Sequence, residues 1–187
     1  NSEVGRTIFL KQKGVLAPYQ SSSAEDIPVQ FKDREDYWTG FAPRARVLVY
    51  NTDLLTEKDL PKSIFELTDA KWKGKVALGY PVRGTLATHM GALYAVLGKD
   101  KTEQYLRDLE NNDVVIVNGN SVVRDMVVEG EVLIGFTDTD DVNVAIQTGK
   151  PVNLLYPDQD GMGTLLIPNT VALIKGCPHP EEGKKLV

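Results

Sequence analysis

Cysteine is almost missing from this 187-residue sequence: Cys177, between Gly176 and Pro178, stands alone. One thiol closes no intrachain disulfide and builds no multi-cysteine zinc site. The loop does not advertise the basic or helix-terminal setting that a reactive thiol needs, so Cys177 reads as a loop residue without a role. Positive charge is also in short supply. Lys and Arg number 21 against 26 Asp and Glu, for a net charge of −5 and a pI of about 5.1. Nothing in that balance favours binding to a nucleic-acid backbone, which needs a concentrated basic surface. No apolar run reaches the length of a membrane span. The opening Asn1-Ser2-Glu3 lacks the basic region and apolar core of a signal peptide, which fits a cytosolic, mature or truncated chain. Catalytic motifs are missing too. There is no nucleophile elbow, phosphate loop ending in Gly-Lys-Ser/Thr, dinucleotide fingerprint or HExxH. An enzyme built on aspartate pairs would lack both nucleophile and base partners, and the chain reads as a non-enzyme.

What is present is ordinary globular material, with 42% hydrophobic and 25% charged residues, enough to bury a core. The length suits one domain or two small lobes. Residues 6–13 have helical character and Gly14 closes them. Residues 45–50 form a β-rich run that leaves through Asn51-Thr52-Asp53. A short helix is expected at 63–67 and a buried strand at 75–79. Longer helices are expected at 85–97, ended by Gly98, and at 102–111. A strand at 113–117 runs into Asn118-Gly119-Asn120-Ser121, where Ser121 is placed to cap the next helix. A strand at 131–136 runs into Thr137-Asp138-Thr139-Asp140-Asp141 and a helix to 147. Strands at 152–156 and 163–168 and a helix from 180 complete the pattern. Strands alternating with helices predict an α/β fold, with a mostly parallel sheet flanked by helices on both faces.

Three strand ends carry polar clusters, and in open α/β sheets the carboxyl ends of strands make the ligand crevice. Arg83, Gly84 and Thr85 stand where a strand turns into a helix. Glycine allows close backbone approach there, and the first helical amides favour an anion. Asn118 to Ser121 repeat that arrangement, with Asn120 and Ser121 as anion contacts or simply a turn and a cap. Asp138, Asp140 and Asp141 crowd three carboxylates into four positions, where they repel unless a cation or donors offset them. A hard cation with oxygen ligands fits, although the calcium-loop pattern is broken by Val142. The alternative is helix capping by Asp138 or Asp140. Arg44 and Arg46 share a strand face and hold either an anion or carboxylates such as Glu35 and Asp36. His89 reads as structural and His179 as solvated.

Several strings then act as a set: Tyr37-Trp38-Thr39-Gly40-Phe41-Ala42 before Arg44-Ala45-Arg46-Val47-Leu48-Val49-Tyr50-Asn51-Thr52, Trp72-Lys73-Gly74-Lys75-Val76-Ala77, Asn118-Gly119-Asn120-Ser121, and Gly163-Thr164-Leu165-Leu166-Ile167-Pro168-Asn169. In this order and spacing the chain resembles the ferric-iron-type solute-binding proteins of ABC importers. The resemblance implies a type II periplasmic-binding-protein-like fold, with two lobes joined by crossing strands and a ligand held between them. It implies that residues 1–46 are the remnant of the first lobe, 47–165 the second lobe and 166–187 a return segment toward the first. A strand-helix unit upstream and a continuation downstream are then expected outside this chain. It further implies a periplasmic or extracellular location, compatible with a lipoprotein anchor, and a monomer working with a membrane permease. Ferric iron is the implied transported ligand, with no cofactor. Arg83, Gly84, Thr85, Asn120, Ser121, Asp138 and Thr139 would hold an anion, and Glu3, Asp140 and Asp141 a metal. The family's paired tyrosines fall at Asp140 and Asp141, where this sequence has aspartates. A binder of a small organic anion or phosphonate at the same site is the alternative, and a hydrolase using the aspartates is a third.

Overall fold

A computed structural model describes residues 3–187. The chain divides into two compact units, one made of the segment ending at Arg44 with Leu166–Val187, the other of Ala45–Leu165.

The first unit contains helix α1 (Val4–Gln12), the short strand β1 (Leu16–Ala17), the first part of β2 (Thr39–Asn51), strands β7 (Leu166–Val171) and β8 (Leu173–Ile174), and helix α6 (Pro180–Leu186). α1 ends where Gly14 takes a left-handed conformation (φ 68°), open to glycine without a Cβ clash. Behind it β1 pairs antiparallel with β8, Leu16 opposite Ile174. The Thr7 and Thr170 hydroxyls meet at 2.6 Å in the interior of this unit. Lys11 Nζ lies 2.8 Å from Asp33 and 2.6 Å from Glu35.

The second unit is built on the later part of β2 with β3 (Val76–Gly79), α2 (Gly84–Leu97), α3 (Lys99–Asn111), β4 (Val115–Val117), α4 (Asn120–Val128), β5 (Ile134–Asp138), α5 (Thr139–Gln147) and β6 (Val152–Leu155). The strand order is β4-β3-β5-β2-β6, and β7 also pairs with β2. β3 runs parallel to β4 and β5. β2 runs antiparallel to both β5 and β6, so of these five strands it alone opposes the common direction. The mostly parallel sheet expected from the strand–helix alternation is therefore present, with one reversed strand inside it.

Residues 47–50 of β2 are buried, as a strand covered on both faces must be. Leu48 and Tyr50 join Leu78, Ile134 and Phe136 under α2 and α3. Val47 and Val49 join Ala77 under α4 and α5. The helices present their buried positions at helical spacing: Thr102, Tyr105 and Leu109 on α3, Val123 and Val127 on α4, Val142 and Ala145 on α5. Gly135 marks the tightest contact of this sandwich. A Cβ there would lie 2.4 Å from Val123 Cγ1 and 3.0 Å from Val49 Cγ1.

Several local bounds differ from expectation: the strand expected at 163–168 runs over Leu166–Val171, the one at 131–136 over Ile134–Asp138, and the helix at 102–111 starts at Lys99. Two further differences have a visible local cause. α4 begins at Asn120 with Gly119 as its N-cap (φ 133°) and no side-chain cap. Ser121 is therefore the second residue of the helix rather than its cap, because the glycine turns the chain one step earlier. The strand expected from 113 starts at Val115, because Asp113 takes a left-handed conformation (φ 53°) that ends the preceding helix rather than opening a strand.

Candidate functional site

The sheet of the second unit puts the carboxyl ends of β3, β4 and β5 side by side, and a helix follows each. The side chains that leave these ends meet. Thr85 is the second residue of α2, Asn120 the first of α4, and Asp138 the residue before α5. Arg46, on β2 and opposite Asp138 in the ladder, joins them. Arg46 and Asp138 are both fully buried.

The hydrogen bonds among these four residues close on themselves. Arg46 Nη1 donates to Asp138 Oδ1 at 2.6 Å, Thr85 Oγ1 at 3.1 Å and Asn120 Oδ1 at 3.2 Å. Its Nη2 donates to the Phe136 carbonyl at 3.3 Å. Asp138 Oδ2 accepts from Thr85 Oγ1 and from Asn120 Nδ2, each at 2.7 Å. Asn120 Nδ2 also reaches Thr85 Oγ1 at 2.9 Å. Thr137 Oγ1 adds a bond to the Asn120 carbonyl at 3.2 Å. The guanidinium lies 4.3 Å from the centre of the Phe136 ring, and His89 packs edge-on against the same ring at 5.0 Å. Burial pulls the Arg46 pKa down and the carboxylates of Asp138, Asp141 and Asp140 oppose it; a guanidinium stays protonated regardless. Burial, with the Arg46 charge added, holds His89 down to about 3. His89 is thus a neutral core residue.

Thr85, Asn120 and Asp138 are therefore brought together as expected of converging strand ends, but their side chains bond one another. Asp138 sits at the N-cap position without capping α5 through its side chain, because Arg46, Thr85 and Asn120 occupy its oxygens. Arg46 takes Asp138 as its carboxylate partner, while Arg44 donates to Asn169 Oδ1 at 3.1 Å. Glu35 pairs with Lys11.

Around this buried knot lie more open groups. Thr139 Oγ1 accepts from the Ala45 amide at 3.1 Å. Asp140 is exposed and Asp141 half-buried in the first turn of α5. Ligand oxygens of Asp138, Asp140 and Asp141 lie within 4.8 Å of one another. Arg83 precedes α2, donates to the exposed Asn118 Oδ1, and has Tyr80 within cation–π reach at 5.7 Å. Gly84 opens α2 with φ 67°. Glu3, in the first unit, lies 3.8 Å from Arg6.

Arg46 is the residue whose role the sequence left open. A charged residue inside Ala45-Arg46-Val47-Leu48-Val49 was the available signal, since an arginine within a buried strand requires a buried partner.

A model of the bacterial extracellular solute-binding protein family matches residues 8–187. The iron uptake protein A1 of Synechocystis sp. is 25% identical over 195 residues, covering 99% of this chain and 54% of that protein. A putative 2-aminoethylphosphonate-binding periplasmic protein of Salmonella typhi is 28% identical over 178 residues, covering 92% of this chain and 51% of that protein. Iron-bound HitA from Pseudomonas aeruginosa matches with a TM-score of 0.90 at 26% identity, over all of this chain and 61% of that one. The chain thus spans about half the length of these curated relatives. Its fold is that of the type II periplasmic binding proteins, and no helix among the described residues is long and apolar enough to cross a membrane. With the family model covering nearly its whole length, the chain belongs to the bacterial extracellular solute-binding proteins.

Proposed function

We propose that this chain is part of the solute-binding component of an ABC-type importer, acting outside the cytoplasm without catalysis, and that its solute is ferric iron or an iron–anion complex. The observation that supports an iron reading is the acidic start of α5, where three carboxylates offer oxygens within 4.8 Å. Carboxylate oxygens are hard donors suited to a hard, highly charged cation. Arg46 already compensates Asp138, which leaves Asp140 and Asp141 as the metal-facing pair. For an accompanying anion, the groups left over are Arg83, the amides of Gly84 and Ser121 near the starts of α2 and α4, and Thr139. The Thr85 and Asn120 side chains serve by shaping those turns. The partner is a membrane permease, and the protein works as a monomer.

The likeness to iron-uptake and iron-bound proteins supports this solute. A second reading has its own support. The family's tyrosine pair is replaced here by aspartates, and one relative is described as a putative 2-aminoethylphosphonate binder. A phosphonate suits helix-start amides, and its ammonium group suits Asp140 and Asp141.

The test is a titration of the protein, expressed from its complete gene, with ferric citrate and with 2-aminoethylphosphonate. The same titration is repeated with Asp140→Asn/Asp141→Asn. Under the iron reading, iron binds the wild type and is lost from the double variant, which stays folded because Asn is tolerated at helix starts. Iron affinity unchanged in that variant overturns the assignment. Glu3→Gln checks whether the first unit supplies a ligand, and an unaltered iron affinity there removes Glu3 from the set.

A further inference from the structure

We infer that Arg46, acting through its buried pair with Asp138, is the positioning residue of the binding site: it sets the starts of α2, α4 and α5 in register, so that groups which never touch the pair meet the solute together.

A buried ion pair is weak grounds for stability, because removing two charges from water offsets most of their attraction. What distinguishes this one is where its partners come from. The three acceptors of Arg46 Nη1 sit on three separate chain segments, Thr85 on α2, Asn120 on α4 and Asp138 at the head of α5. Each lies within two residues of a helix start. Asp138 Oδ2 ties the first two segments a second time. A point charge would not do this. The planar guanidinium presents donors in a fixed fork, and its other arm holds the Phe136 carbonyl. The first amides of each helix have no acceptor within their helix, so their relative placement is left to such side-chain bonds. The knot also shapes the charge around it. With Asp138 compensated, Asp140 and Asp141 remain as a pair rather than part of a crowded trio.

This inference rests on the solute-binding reading above, and its test separates the two. Arg46→Met/Asp138→Leu replaces the pair by apolar side chains, an exchange that is often neutral or stabilising elsewhere. In the protein expressed from its complete gene, the expected result is a Tm within a few degrees of wild type, with affinity for ferric citrate or 2-aminoethylphosphonate lowered tenfold or more. Amide hydrogen exchange, measured without any solute, is expected to quicken about tenfold at residues 87–89, 123–125 and 142–144, the first hydrogen-bonded turn of each helix, and to stay unchanged in α3. A role in stability alone would move Tm and leave affinity alone. Should the double variant not fold, Arg46→Lys keeps the charge and loses the fork, and is expected to show the same local quickening. Wild-type affinity in a folded double variant, or unchanged exchange at the three helix starts, overturns the inference. If the wild type binds neither probe, the solute reading fails while the exchange result still decides the positioning.

Discussion

Thr85→Val removes one oxygen from the centre of the knot and replaces it with a methyl group of nearly the same shape. The hydroxyl donates to Asp138 Oδ2 at 2.7 Å and accepts from Arg46 and Asn120 at 3.1 and 2.9 Å, in a side chain only 4% exposed. Hydrogen bonds to charged groups contribute about 1.5–3 kcal/mol each. No partner is orphaned by the change, because Asp138 Oδ2 keeps Asn120 and Arg46 keeps Asp138. The expected cost is therefore about 2–3 kcal/mol, near the value for one charged bond rather than the sum of three. Thr102 is the internal control. It is fully buried, but its hydroxyl makes one neutral bond, to the Gly98 carbonyl at 2.9 Å. Thr102→Val should cost about 1 kcal/mol. Urea unfolding followed by tryptophan fluorescence reads both, as midpoint shifts at unchanged slope; for a slope of about 1–3 kcal/mol/M the Thr85 variant shifts by roughly 1 M. Equal shifts in the two variants, or a larger one for Thr102, would refute the claim that the charged knot makes Thr85 special.

His89 is held near 3 in the folded protein against about 6.5 when unfolded. Its neutral form is favoured by folding, so its contribution is fully present above pH 6.5 and is lost as the pH falls toward 3, by at most about 1.4 kcal/mol per pH unit. His89→Phe should flatten the stability profile between pH 6 and 4 relative to wild type, and parallel profiles would contradict the assignment. Gly135→Ala should destabilise by about 1–3 kcal/mol through overpacking against Val123 and Val49, checked by thermal unfolding; a neutral result means that the sheet and α4 separate more readily than their contacts imply. If Asp140 and Asp141 are the iron ligands, the iron-loaded protein should lack the strong visible absorption of tyrosinate–iron charge transfer, because carboxylates give no such band. An intense band on adding iron would mean that a tyrosine ligates.

The fold was largely legible because its signals are local. Strand 75–79 stops at Pro81 and helix 85–97 stops at Gly98, where the structure stops them. The alternation of such elements is enough to require a covered parallel sheet. The reversed direction of β2 was not legible, since direction depends on where a strand pairs and not on its own residues. Within the site, the turns after β3, β4 and β5 carried visible signals in Gly84, Gly119 and the aspartates. The engagement of Thr85, Asn120 and Asp138 with one another did not, because each hydrogen bond in the knot to Arg46 or between turns spans 18 to 92 positions of sequence. Arg46 was visible as a charge in an apolar strand, and its partner was not, because any of several carboxylates satisfied the local pattern.

The buried pair also bears on what each of the two solutes demands of the site. Asp138 is compensated by Arg46 and shares oxygen separations within 4.8 Å with Asp140 and Asp141. The acidic pair therefore adjoins the knot, and the knot joins directly to the starts of α2 and α4. Two carboxylates do not neutralise a ferric ion, so bound iron would retain positive charge next to helix starts that themselves favour an anion. The same juxtaposition suits a zwitterion with its ammonium at the aspartates and its phosphonate at the amides. Both readings thus require negative groups at α5 and donors at α2 and α4, and they differ in how much charge must gather at one point. A single ferric ion concentrates it, which makes binding sensitive to the loss of either aspartate alone. An ammonium group, with one charge and three donors, tolerates the loss of one. Separate Asp140→Asn and Asp141→Asn variants, titrated with ferric citrate and with 2-aminoethylphosphonate, therefore discriminate between the solutes: two steep losses of ferric citrate indicate iron, and two shallow losses of the phosphonate indicate the amine.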